Sequence, residues 1–247
     1  MTWRRAQLTV MPRLRARSHE AVRSVLAILS EEPGWQPSHW GPSIQQRRPF
    51  SEADLLSWLP IDRDADGREE ELVVRRMTEP PHYLLRWVLT PRPAGGTFQL
   101  ALLPDATPST LASFFSVCDR LVVTLDALYG GIQLADWDGD PKSQAGASGI
   151  HDEVVAQYGL DDVFPRTFLA AELAAGSTLE AVSLSPRMLC LDAVPRPWAE
   201  SPARVEEGMK RLRTTLVTAG LVRTWNGVQL GRGPRWPSFA NPLPTRA

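Results

Sequence analysis

Two short acidic runs hold the residue types best suited to chemistry. In "DRDADG", Asp62, Asp64, Asp66 and Gly67 match the first half of a calcium loop, where alternate carboxylates offer hard oxygen ligands and a glycine lets the chain wrap the cation. The twelfth position of such a loop, which a bidentate glutamate should fill, is Val73. A solvated acidic turn is therefore the competing reading of Asp62, Asp64 and Asp66. In "DWDGD", Asp136, Asp138 and Asp140 surround Trp137. Three carboxylates at alternate positions could hold a cation or meet the arginines of a partner protein, with the tryptophan as an apolar anchor. The plain alternative is an Asp/Gly turn whose side chains bond their own backbone.

Nucleophilic chemistry has less to work with. Cys118 and Cys190 sit inside the apolar runs "FFSVCDRLVV" and "RMLCLDAV", where a thiolate is disfavoured and each cysteine reads as a small buried hydrophobe. Two such residues do not make a disulfide framework, and they suit a reducing compartment. Of the four histidines, His19, His39, His82 and His151, none lies within a helical turn of another. His39, beside Trp40, could act as a base, but no nucleophile is implied nearby in sequence. The chain contains no nucleophile elbow, Walker loop, dinucleotide fingerprint, zincin helix or C-x-x-C pair. The expectation is a protein without catalytic residues or a cofactor, with Asp62, Asp64 and Asp66 as weak metal candidates.

A third constellation is aromatic and basic. "GWQPSHWGPSIQQRRPF", from Gly34 to Phe50, brings Trp35 and Trp40 together with Arg47 and Arg48 in a stretch with neither helical nor strand periodicity. Pro33, Pro37 and Pro42 could pin the indoles on the core as a stiff lid. The alternative is a surface built to be touched, since tryptophan and arginine are enriched at protein interfaces. Trp35, Trp40, Arg47 and Arg48, with Asp136, Trp137, Asp138 and Asp140, are thus the candidate partner-binding residues.

The elements that would position these groups follow from periodicity. "AQLTVMPRLRA" alternates as a strand, and Ser18 caps a helix from about His19 to Ser30 with Val22, Val25, Leu26 and Leu29 on one face. "SEAD" has capping-box form and starts a short helix ending at Pro60. "ELVVRRM", "HYLLRWVLT" and "TFQLALL" read as an antiparallel meander. Thr107 and Pro108 then begin a helix with an apolar stripe from Leu111 to Leu128, ended by Gly130 and Gly131. Beyond a loop at Asp136 to Gly149, "HDEVVAQYG" and "PRTFLAAELAAG" read as helices and "LEAVSL" with "RMLCLDAV" as a hairpin. "SPARVEEGMKRLRTTLVTAG" reads as a helix with Pro202 at its first position and Gly220 past its end, followed by a strand at "LVRTWNGVQL".

The expected fold class is α+β: a largely antiparallel sheet flanked by helices, strand-helix-meander-helix first, then a smaller helix and strand set. A single domain over 1–230 is expected, with sub-halves 1–135 and 150–230, and a proline-rich flexible tail over 231–247.

With 247 residues, 43% apolar and 22% charged, the chain can bury a full core. Its net charge of −1 provides no global field for nucleic acid or an anionic membrane. Lys142 and Lys210 are the only lysines among 27 basic residues. The opening segment has no apolar signal core, and no apolar run is long enough to span a bilayer. Its arginines before Glu20 have a faint transit-peptide character beside the strand reading.

The order of these features resembles a family of immunity proteins that accompany bacterial polymorphic toxins, the set numbered fifty-two. The resemblance covers roughly Leu8 to Leu221. It rests on "SHEAVRSVLAILSEEPGW", "TFQLALLPDATPSTLASFF", "LYGGIQLADWDGD" and "RMLCLDAVPRPWAESPARVEEGMKRLRTTL". It implies a cytoplasmic, non-enzymatic protein that binds and blocks a cognate protein toxin, often a nuclease. Two other classes remain open on the residues themselves: a metal-dependent enzyme or small-molecule-binding protein using the acidic runs, and a structural component of a larger assembly.

Overall fold

Among the described residues, four helices begin where local chemistry starts them. The Ser18 hydroxyl accepts from the Ala21 N–H at the start of α1 (His19–Glu31), Ser51 does the same for Asp54 in α2 (Glu52–Trp58), and Thr107 for Thr110 in α3 (Pro108–Thr124). Each satisfies one of the amide donors that a helix start leaves without an internal partner. Pro202 opens α4 (Pro202–Thr218), where the missing N–H costs nothing. The computed structural model describes residues 3–13, 18–59, 70–89, 97–103, 106–135, 163–175, 177 and 179–221.

The strands are β1 (Arg5–Pro12), β2 (His39–Gly41), β3 (Arg48–Pro49), β4 (Glu70–Arg76), β5 (Tyr83–Leu89), β6 (Phe98–Leu102), β7 (Ala127–Ala135), β8 (Arg166–Ala170), β9 (Val182–Ser185) and β10 (Met188–Asp192). They form one sheet in the order β3-β2-β4-β5-β6-β1-β7-β8-β10-β9, and every neighbouring pair is antiparallel. The fold is α+β. The expected meander is β4-β5-β6, and the expected late hairpin is β9-β10. β1 lies in the interior of the sheet, with Leu8 opposite both Leu100 of β6 and Ile132 of β7.

Period-two alternation sorts the strands between two cores. Leu8, Val10, Leu85, Trp87, Leu100, Ile132, Phe168 and Cys190 join α1, α2 and α3 in the larger cluster. Tyr129, Leu169 and Leu191 point to the other face and meet Leu216 of α4 in the smaller one. Adjacent residues of β8 therefore serve different cores, which explains why all five positions of that strand are buried.

That double burial corrects one expectation. "PRTFLAAELAAG" has helical composition, yet Arg166–Ala170 is a strand and only Ala171–Ala174 turns, as a single 3-10 segment. A strand buried on both faces shows no alternation, and pairing on both edges, with β7 and β10, overrides intrinsic preference.

A second correction concerns the end of α3, which stops at Thr124 rather than at Gly130. Asp126 takes a left-handed backbone (φ 47°), and β7 follows at once. Gly131 sits within β7, where a Cβ would come within 2.2 Å of the Phe164 ring. Its glycine is a packing requirement, not a helix stop. "HDEVVAQYG", "LVRTWNGVQL" and the 231–247 tail lie outside the described residues.

Candidate functional site

The aromatic and basic loop divides into a buried half and an exposed half. Trp35 follows α1 directly and is 1% exposed. It stacks on Tyr83 with ring centroids 5.4 Å apart, and the Tyr83 hydroxyl donates to the Trp35 carbonyl at 2.7 Å. Burial holds the Tyr83 phenol above its ordinary value, so it remains a donor. Trp40, in β2, is also 1% exposed and packs against Trp58 of α2 with centroids 5.8 Å apart. Neither indole offers a face to solvent. The expectation that Trp35 and Trp40 themselves touch a partner is corrected: both belong to the main core.

The exposed half is the connection from β2 to β3. Residues 44–49, including Arg47 and Arg48, are exposed in an unbroken run, with Ile44 at 42%. A loop so open needs its own scaffold, and Arg75 of β4 supplies it. This arginine is 3% exposed and donates from Nη2 to the Ser43 and Ile44 carbonyls at 3.3 and 2.6 Å. Gln46 N–H closes a turn on the Ser43 carbonyl, and Gly41 lets the loop return, since a Cβ there would lie 2.3 Å from the Gln46 carbonyl oxygen. Arg48 lies over the Trp40 ring, 5.0 Å from its centroid. The buried indole is thus a platform for an exposed guanidinium.

Charge gathers around this loop. Burial lowers Arg75 from its ordinary value, with nearby Arg47 adding to the lowering and Glu71 offsetting part of it. Arg75 Nε is buried without a hydrogen-bond partner among the described residues. Arg76, next in sequence, donates to the Glu79 and Gln36 carbonyls at 3.0 Å each. Met77 beside it is 40% exposed. The exposed run thus carries two guanidinium groups and one aliphatic side chain on a fixed backbone.

His39 opens β2 beside Ser38. Its Nδ1 lies 2.9 Å from Ser38 Oγ, but that hydroxyl also accepts from the Met77 N–H and lies 3.3 Å from the Arg75 carbonyl. The pair fastens β2 to β4. Asp136, Trp137, Asp138 and Asp140 lie outside the described residues, as do Asp62, Asp64 and Asp66. Among the described residues, no group of three metal-ligating side chains comes together. Cys118 and Cys190 are buried, as expected. Burial pushes both thiols up, Cys190 to about 12.

Two ionic clusters escaped the sequence reading. Arg166 donates to both oxygens of Asp119 at 2.9 and 2.8 Å and to both of Asp192 at 2.7 Å. Its guanidinium also lies over Phe115 and Trp198. Burial opposes its charge, but the hydrogen bonds to Asp192 and the surrounding charges hold it above its ordinary value. The second cluster joins Arg13, Asp126, Glu172 and Arg187 at the carboxyl end of α3. Only the residue types were visible beforehand, because the partners lie 26 to 159 positions apart.

No helix among the described residues is long and apolar enough to cross a membrane. No protein-family model and no curated protein matches the chain. Among solved structures the chain is similar to the Pseudomonas aeruginosa T6SS protein PA0821. That likeness has a TM-score of 0.48 and 10% identity, covering 84% of this chain and 72% of the other.

Proposed function

We propose that the chain is a non-enzymatic, immunity-like protein that binds a cognate bacterial protein toxin in the cytoplasm and blocks it by surface contact. The observation that carries this reading is the β2–β3 hairpin: six successive exposed residues, 44–49, on a backbone fixed by buried Arg75, with Arg48 over buried Trp40. Fixing a loop before binding reduces the conformational entropy lost on association. Arginine and apolar side chains on such a frame are suited to anchoring a partner. The run Asp136–Asp140 supplies a second candidate contact of opposite charge, for a cationic patch on a nuclease-type toxin.

The test is direct titration against the toxin encoded beside this gene, together with protection of cells expressing that toxin. Arg47→Glu with Arg48→Glu should weaken the complex by more than about tenfold. Unchanged affinity would remove the loop from the account, and a toxin that neither binds nor is neutralised would end the reading.

A further inference from the structure

A cleft of about 360 Å³ opens at the carboxyl end of α3, where Arg13, Val123, Asp126, Pro186, Arg187 and Met188 face one space. It is remote in sequence from the β2–β3 loop and shares none of its residues. Its polar side is built around Asp126, whose two carboxylate oxygens pair with Arg13 and Arg187 at 3.2 and 3.1 Å. Asp126 also holds the left-handed backbone noted above, a conformation that persists only where its surroundings fix it.

The two arginines are not equivalent. Arg13 has an 8% exposed side chain and each of its three nitrogens has a partner, with Nε on the Asp126 carbonyl at 2.9 Å, Nη2 on the Asp126 carboxylate and Nη1 on Glu172. Arg187 has a 45% exposed side chain, and among the described residues its guanidinium meets only one oxygen of Asp126. A guanidinium carries five donors in a planar fork, so among the described residues most of this fork has no partner at the mouth of the cleft. The remaining lining is mixed: the 37% exposed Val123 and Pro186 are its apolar part, Thr124 and Ser185 its polar part, and Met188 is nearly covered.

We propose that this cleft binds a carboxylate carried on a short apolar body. The carboxylate takes the open donors of Arg187, and the apolar body lies against Val123 and Pro186. A cation is disfavoured because Asp126 is already neutralised by two guanidinium groups. A phosphate, more heavily hydrated than a carboxylate, gains less from the apolar walls. The volume suits a ligand of small-molecule size. The same chemistry is offered by a free aliphatic or aryl acid and by the last residue of a peptide.

Isothermal titration with 3-phenylpropanoate, with its primary amide, and with a tripeptide ending in phenylalanine as free acid or amide separates these sources. Binding of the free acid, the peptide acid or both, with loss on amidation, supports the site and identifies its ligand. Arg187→Gln, at an exposed position, should weaken that binding at least about tenfold, with thermal unfolding confirming that the variant is folded. Asp126→Asn removes the internal competitor while keeping a residue that tolerates the left-handed backbone, and should tighten binding about threefold or more. The proposal is overturned if neither acid binds at millimolar concentration, if the amides bind as well, or if Arg187→Gln binds like the parent.

Discussion

Arg48 holds its guanidinium over the indole of Trp40, one exposed and the other 1% exposed, with 5.0 Å between guanidinium carbon and ring centroid. The pair divides the labour of the loop between core and surface, so substitutions at the two positions should have different consequences. Trp40→Ala should cost about 3–5 kcal/mol of stability, as a buried aromatic does. Arg48→Ala should cost about 0.5–1 kcal/mol. Urea unfolding of both variants gives the comparison, and equal small losses would return Trp40 to the surface.

The turn at Gly41 offers a test of the proposed partner contact. Gly41→Ala drives a Cβ into the Gln46 backbone, so the β2–β3 connection must shift while the core below it is untouched. The expected result is a loss of affinity for the partner toxin larger than the loss in unfolding free energy, read by titration and urea unfolding of the same preparation.

Arg166 is the most heavily engaged arginine among the described residues, with two bidentate carboxylates and two aromatic rings. Replacing it with leucine leaves Asp119 and Asp192 facing each other without a cation. A buried pair broken from one side costs about 3–5 kcal/mol, and partial exposure of both aspartates places Arg166→Leu at the lower end, about 3 kcal/mol. Asp192→Asn, which keeps the shape and leaves Asp119 paired, should cost less. Chemical denaturation at neutral pH orders the two.

Burial raises the Cys118 and Cys190 thiols in the folded chain. Above about pH 9 the unfolded chain releases these protons more readily than the folded one, so stability falls as pH rises. For Cys190 the loss extends to about pH 12. Each thiol contributes at most about 1.4 kcal/mol per pH unit. Cys190→Ala should therefore flatten the decline between pH 9 and pH 10, measured by unfolding at stepped pH. Both thiols should resist a disulfide reagent until the protein unfolds.

Gly131→Ala tests the close approach of β7 to Phe164. The added methyl group overlaps a ring held in the smaller core, which predicts a loss of about 1–3 kcal/mol. Gly131→Ala with Phe164→Leu should recover part of it.

Caps and amphipathic stripes were legible in the sequence because they are local. Ser18, Ser51, Thr107 and Pro202 start the helices where those residue types place them. β8 was not legible, since its five buried positions carry no alternation and its partners come from β7 and β10. The basic half of the candidate site, Arg47 and Arg48, was identified by residue type alone. Its support was not, because Arg75 joins Ile44 across 31 positions. The burial of Trp35 and Trp40 was one of two readings left open, and only the packing of Tyr83 and Trp58 against them decides it.

β1 is made before every other strand, yet both of its edges are paired, with β6 beginning at Phe98 and β7 beginning at Ala127. During synthesis it must wait for most of the helix-covered core to leave the ribosome. The loops closed by these pairings span from about a third to half of the chain, which raises contact order and slows folding. Until then β1 presents two unpaired edges, which exposes this strand to misassociation.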